Sequence, residues 1–78
     1  MNKIVFFHPA KNNSAVSALD INDIPADIVA GMLANSIFSS VNKTWVFSRQ
    51  GYISSVFQVD QFQSASMLAS RLRSWLLQ

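Results

Sequence analysis

The sequence contains no cysteine and only one histidine, His8, among its 78 residues. Without cysteine the chain has no disulfides and no thiolate metal sites, and one histidine does not make an imidazole-rich metal centre. We therefore expect neither a metal nor another cofactor. Because a domain of this size buries only about 60% of the surface that its unfolded chain exposes, its core is small, and association with another chain would bury more.

Charged residues are scarce as well. Lys and Arg number six and Asp and Glu four, so 13% of the chain is charged and the formal net charge is +2. An average soluble domain is about one quarter charged. The hydrophobic fraction of 50% is enough to form a core. A weakly charged surface favours association with other proteins, and so small a positive excess does not predict steering towards nucleic acid or anionic lipid.

No hydrophobic run in the sequence is long. The apolar segment at residues 4–7 ends at His8 and Pro9, which makes it too short for a signal peptide. No stretch approaches the ~18 apolar residues that a membrane-spanning helix needs. These observations predict one domain over residues 1–78, located in the cytoplasm.

The hydrophobic pattern predicts three strands and two helices. The predicted elements are a strand over residues 3–8, a helix over residues 23–41, a hairpin over residues 43–59 and a second helix over residues 60–77. Residues 9–22 form a loop, and whether residues 14–21 make an extra element stays open. The predicted fold class is α+β with the order β-α-β-β-α, a two-layer sandwich in which two helices cover one face of a three-stranded sheet.

Each predicted helix has one apolar face and a capping signal at its start. We expect Asn22 or Asp23 to cap the first helix, and Asp60 with Gln63 resembles a capping box for the second. The apolar face of the first helix consists of Ile28, Val29, Met32, Leu33, Ile37 and Val41, and its opposite face of Ala30, Ala34, Asn35 and Ser39. The apolar face of the second consists of Phe62, Ala65, Leu68, Ala69, Leu72, Trp75 and Leu76.

The turn of the predicted hairpin decides which of its side chains face the core. A two-residue loop at Gln50 and Gly51 would make both faces strongly apolar. A three-residue loop at residues 49–51 pairs Ser48 with Tyr52 and places Gly51 where a type I turn with a bulge needs glycine. We prefer the three-residue loop, which gives one clear core face. That face consists of Trp45, Phe47, Ile53, Phe57 and Val59.

No constellation of catalytic residues is apparent in the sequence. His8 has no Ser or Asp companion at a recognisable spacing, and no nucleophile-elbow motif is present. The two glycines, Gly31 and Gly51, do not make a phosphate-binding loop. The carboxylates lie before or within the first turn of a predicted helix, where the helix dipole favours them; they are Asp20, Asp23, Asp27 and Asp60. We therefore predict that the chain is not an enzyme.

The predicted order and length resemble those of the small bacterial modulators of recombinase that are induced by DNA damage. That family carries a strongly acidic C-terminal helix. The second helix here carries Arg71 and Arg73, and no carboxylate follows Asp60. The function of that family is therefore not carried over to this chain.

The residues left over after the core is assigned predict a surface that binds another protein. Val46, Tyr52 and Val56 fall on the outer face of the predicted sheet, with Ser54 beside them and Arg49 at the turn. An apolar patch with a polar rim is typical of protein interfaces. The main hypothesis is a small regulator or inhibitor of bacterial or phage type that binds another protein, with a homodimer through the same surface left open.

The alternative hypothesis is a nucleic-acid-associated module. It would use Lys3, Lys43, Arg71 and Arg73 to contact phosphates. Arg71 and Arg73 lie two residues apart on a helix, so they point about 200° apart and do not form one patch. Nucleic acid is accordingly the less favoured partner, and no membrane contact is expected.

Overall fold

The computed structural model describes residues 4–49 and 54–78, and in these ranges the chain forms four strands, two α-helices and one 3₁₀ turn. The elements are β1 (Ile4–Pro9), β2 (Ser17–Asp20), α1 (Ala26–Phe38), β3 (Thr44–Arg49), β4 (Ser55–Gln58), a 3₁₀ turn (Val59–Gln61) and α2 (Ala65–Leu76). The fold class is α+β, as predicted, but the order of elements is not the predicted one.

An additional strand, β2, makes the sheet four-stranded in the part of the chain that the structure describes. The strand order is β2-β1-β3-β4, and every neighbouring pair is antiparallel. The predicted three-stranded sheet and the order β-α-β-β-α are therefore wrong, and the resemblance that rested on this order is lost. The sequence of β2, Ser-Ala-Leu-Asp, has little strand character. Its conformation is held by pairing with β1, for example Val5 with Leu19.

One face of the sheet and both helices enclose a single core. Side chains alternate along each strand, so Val5, Phe47 and Phe57 point to the same side and are buried there. Phe7 and Trp45 pack against the same cluster. The buried residues from the helices are Val29, Ala30, Leu33, Ala34, Ile37, Leu68, Leu72, Trp75 and Leu76. Both helices therefore lie on the same side of the sheet.

The register of the β3–β4 pair differs from the predicted one by two residues. Trp45 pairs with Phe57, whereas the three-residue loop would have paired Trp45 with Ser55. A shift of two residues leaves every side chain on the same face, so Phe47 and Phe57 remain on the core side. The turn itself, including Gly51 and the predicted partner Tyr52, lies outside the described residues.

Helix α1 is rotated about its axis relative to the predicted orientation. Ala30 and Ala34, expected to face outward, are buried, whereas Ile28 and Met32, expected in the core, are 53% and 58% exposed. Val41 lies beyond the end of α1 and is 92% exposed. The two helices pack directly against each other. Small side chains let their backbones approach, and this contact takes precedence over burial of the larger side chains.

The start of each helix also differs from the predicted capping. Pro25 is the N-cap of α1 and makes no side-chain cap bond, while Asp23 adopts φ 66° in the preceding turn. Asp60 lies in the 3₁₀ turn, and α2 begins later. Its cap is Ser64, whose Oγ accepts a hydrogen bond from the Met67 N–H at 3.2 Å. The predicted capping box at Asp60 is therefore wrong, because Phe62 is extended and interrupts the helix.

Phe47 lies at the centre of an aromatic cluster that joins the sheet to α2. Its ring stacks on Phe7 with centroids 5.4 Å apart, and meets Phe57 at 5.3 Å and Trp75 at 5.9 Å edge to face. Phe47 itself is completely buried. Such ring pairs contribute beyond the area they bury, so one side chain of β3 connects β1, β4 and α2.

We predict that Phe47→Ala lowers the free energy of unfolding by about 3–5 kcal/mol, because it removes the buried ring and leaves a cavity. Urea denaturation followed by circular dichroism measures this change. Val56→Ala, at a side chain that is 59% exposed, is the control and should change stability by less than about 0.5 kcal/mol. Equal effects of the two variants would contradict the central position of Phe47.

We predict that Ser64→Ala lowers the free energy of unfolding by about 1 kcal/mol, because the Met67 N–H loses its acceptor. Ser66→Ala is the matched control, since Ser66 is exposed inside the first turn of α2 and alanine favours a helix there. Thermal unfolding of both variants measures the difference. If Asp60→Ala lowered the stability and Ser64→Ala did not, the result would contradict Ser64 as the cap and support the predicted helix start at Asp60.

Candidate protein-binding surface

The outer sheet face is the side of the sheet that points away from the helices. Its side chains form cross-strand rows, one of which is His8, Val46 and Val56 on three neighbouring strands. The next row contains Phe6 beside Ser48. The full set on this face is Ile4, Phe6, His8, Ala18, Asp20, Thr44, Val46, Ser48, Val56 and Gln58. The rows bring apolar side chains from β1, β3 and β4 together.

Polar groups without a formal charge lie among and beside these apolar side chains. Thr44 Oγ1 donates a hydrogen bond to Gln58 Oε1 at 2.9 Å across the β3–β4 pair. His8 Nδ1 lies within hydrogen-bond distance, 2.8 Å, of the Pro9 carbonyl oxygen. Asp20, at the β2 edge, is the one Asp, Glu, Lys or Arg among the strand residues that the structure places on this face. On the outer sheet face, apolar and uncharged polar side chains therefore alternate, and charge is nearly absent.

The residues that the sequence predicted for partner binding are separated by the fold. Val46 and Val56 lie on the outer sheet face, and Ser54 is exposed just before β4. Tyr52 lies outside the described residues. Arg49 pairs with buried Val5, which places it on the helix side of the sheet. Arg49 is therefore not part of the surface that Val46 and Val56 form.

Phe6 belongs to the outer sheet face and was not among the predicted site residues. Residues 4–7 are all apolar, so their pattern does not show which alternate set faces the core. The structure resolves this because Val5 is buried while Phe6 is half-buried on the other face. Pairing with β3 supplies the information that the sequence of β1 lacks.

Arg49 connects β3, one of the two inner strands, to the end of α2. Its guanidinium donates from Nη1 to the Leu76 carbonyl at 3.0 Å and from Nη2 to the Gln78 carbonyl at 2.8 Å. The same group lies 5.2 Å from the ring centroid of Trp75. A cation at a helix C-terminus interacts favourably with the last carbonyls and the helix dipole. Arg49 thus has a structural role.

A second exposed apolar surface lies on α1. Ile24, which lies just before the helix, and Ile28 and Met32 of α1 recur every four residues and are all exposed, with Met32 at 58%. The hydrophobic pattern did not predict this surface, because it indicated that Ile28 and Met32 lie in the core. The low charge of α1, in which Asp27 is the single charged residue, could have signalled it. A helix that is apolar on all sides is typically buried on all sides.

The cations of the nucleic-acid hypothesis lie on different elements. Lys43 Nζ donates to the Phe38 carbonyl at 3.2 Å, the helix-end contact that the dipole favours. Arg71 lies beside the Phe62 ring, with its guanidinium carbon 5.6 Å from the centroid, and Arg73 is exposed in the last turn of α2. Lys3 lies outside the described residues.

The titratable side chains make mainly local contacts. Asp20 Oδ1 accepts a hydrogen bond from the Asn22 N–H at 3.0 Å, and Asp27 Oδ1 accepts one from the Ile28 N–H at 3.0 Å.

Within residues 4–49 and 54–78, no three His, Asp or Glu side chains are grouped to hold a metal ion. In the same ranges, no helix combines the length and apolar character required to cross a bilayer.

We predict that Arg49→Lys lowers the free energy of unfolding by about 1–2 kcal/mol, because an ammonium group does not reproduce the planar fork that reaches two carbonyls. Arg73→Lys, at an exposed position of α2, is the matched control and should leave stability unchanged within about 0.5 kcal/mol. Chemical denaturation at equal ionic strength compares the two. Equal stability of Arg49→Lys and the parent chain would contradict the structural role of Arg49.

Comparison of the chain with protein-family models, with curated proteins and with solved structures found no match.

Proposed function

We propose that this chain is a small non-enzymatic regulator or inhibitor that binds another protein through the outer sheet face. The observation that supports the proposal is that Phe6, Val46 and Val56, on three neighbouring strands, lie on a nearly uncharged face that the helices leave open. The fully buried centre of a protein interface is depleted in charge and surrounded by a polar rim. The outer sheet face shares this depletion in charge.

The low charge of the surface sets the expected character of the binding. Burial of apolar side chains supplies the free energy, and rim groups such as Thr44 and Gln58 supply hydrogen bonds. Binding of this kind depends little on salt, unlike contacts with phosphates, which weaken steeply as salt increases. A homodimer through the same face is part of the proposal, and the cytoplasmic location remains a prediction.

Val56→Lys should weaken retention of the partner, because a lysine ammonium buried in the interface must lose its hydration. The purified chain is immobilised and exposed to an extract of its native cell, and retained proteins are quantified by mass spectrometry. The expected loss is at least about tenfold, equivalent to ~1.4 kcal/mol of binding free energy. Light scattering on the same variant tests the homodimer.

Met32→Lys is the matched control for this experiment. Met32 and Val56 are 58% and 59% exposed, so both variants place the same charged side chain at an equally accessible position. A partner lost with Met32→Lys and kept with Val56→Lys would move the binding surface to α1 and overturn the proposal. Retention that falls steeply with salt and disappears after nuclease treatment would favour the nucleic-acid hypothesis instead.

A further inference from the structure

The side of β4 that faces away from β3 is an open edge in the part of the sheet that the structure describes. β4 is the last strand in the order β2-β1-β3-β4. The Val59 N–H donates to the Lys43 carbonyl at 2.7 Å, so this N–H points towards the β3 side. Backbone direction alternates along a strand, and Phe57 therefore also points to β3, whereas Val56 and Gln58 point their N–H and C=O groups to the open edge.

β4 is short, but this edge otherwise lacks the usual protection against pairing with another strand. Natural sheets commonly place Lys, Pro or a bulge on an edge strand, or cover it with another element. β4 has the sequence Ser-Val-Phe-Gln, which contains neither charge nor proline. Its outward backbone groups are therefore able to pair with an extended segment, and strand addition to an open edge is a common mode of peptide recognition.

A cleft lies directly beside the open edge, between β4 and α2. Its volume is about 160 Å³, and the residues from outside β4 that line it include Gln61, Phe62, Arg71 and Ser74. That volume is below the roughly 300–1,000 Å³ of small-molecule pockets and suits single side chains of a bound segment. A second depression of about 320 Å³ shares Phe62, Arg71 and Ser74 with the cleft and reaches Met67.

The cleft contains a positively charged side chain. Among the described residues, Arg71 is the only charged side chain that lines either depression. The Phe62 ring, 5.6 Å from its guanidinium carbon, holds the side chain beside the cleft. A guanidinium matches the geometry of a carboxylate, with which it forms two parallel hydrogen bonds. The complementary ligand is therefore a segment that carries a carboxylate side chain.

We propose that β4 and this cleft bind an extended segment of a partner protein, which pairs with Val56 and Gln58 as an added strand and places an Asp or Glu side chain against Arg71. This inference rests on the proposed function and states the form of the partner that the chain recognises. A second copy of the chain is the competing occupant. Its β4, Ser55–Gln58, offers no carboxylate to Arg71.

The test uses an array of random eight-residue synthetic peptides, capped at both ends and probed with the labelled full chain. The expected result is that bound peptides are enriched in Asp and Glu among β-prone residues. Replacing the acid by its amide should weaken each peptide at least about tenfold. Arg71→Gln should remove the preference for the acid, and Arg73→Gln is the matched control because Arg73 lines neither depression.

Backbone pairing is measured separately by NMR on the isotope-labelled chain without substitutions. Titration of a selected peptide should shift the Val56 and Gln58 amide resonances and slow the hydrogen exchange of these two amides. The inference is overturned if no peptide binds, if Arg71→Gln and Arg73→Gln behave alike, or if these two amides do not respond. It is also overturned if light scattering shows a dimer that competes with the peptides.

The two proposals fail in different ways. If a cellular partner is lost with Val56→Lys but kept with Arg71→Gln, and no peptide binds, the outer sheet face functions without the cleft. If Arg71→Gln alone reduces peptide binding and Val56→Lys leaves every partner in place, the edge is used and the outer sheet face is not.

Discussion

The structure depends on the contact between the Phe47 ring and α2. Phe47 meets Phe7, Phe57 and Trp75 at centroid distances of 5.3–5.9 Å, and the first of these lies on β1, the second on β4 and the third on α2. In a small domain with little apolar surface to bury, few residues supply most of the core. Arg49 reinforces the same junction, since it reaches from β3 to the Leu76 carbonyl. The central strand and the second helix are thereby held as one unit.

The packing of the two helices determines what the surface can bind. Ala30 and Ala34 are buried, whereas Ile28 and Met32 remain exposed. The described part of the chain thus has an apolar surface on α1 and another on the outer sheet face, and the latter is continuous with the open edge of β4 through Val56. The cleft beside that edge adds a cation, Arg71, and no Asp or Glu side chain of the described residues lines the cleft with it. Shape, hydrogen-bonding groups and charge coincide at this edge and do not coincide on α1.

Much of the local structure could be predicted where the hydrophobic pattern was unambiguous. The buried face of α2, with Leu68, Leu72 and Trp75, follows from spacing at the helical period. The assignment of Phe47 and Phe57 to the core followed from the alternation of β3 and β4, even though the register was wrong by two residues. The candidate surface was partly predictable for the same reason, because Val46 and Val56 are the outward neighbours of core residues.

What the sequence by itself determined is the class of the fold, the approximate positions of its helices and hairpin, and a weakly charged surface. Tertiary structure alone decided the rest. β2 forms because β1 offers it an edge for pairing. Ser64 caps α2 because the extended Phe62 separates the 3₁₀ turn from this helix. Arg49 points to the helix side of the sheet, where it donates to the Leu76 and Gln78 carbonyls. These features depend on partners distant in the chain, and local propensity, worth a few tenths of a kcal/mol per residue, does not encode them.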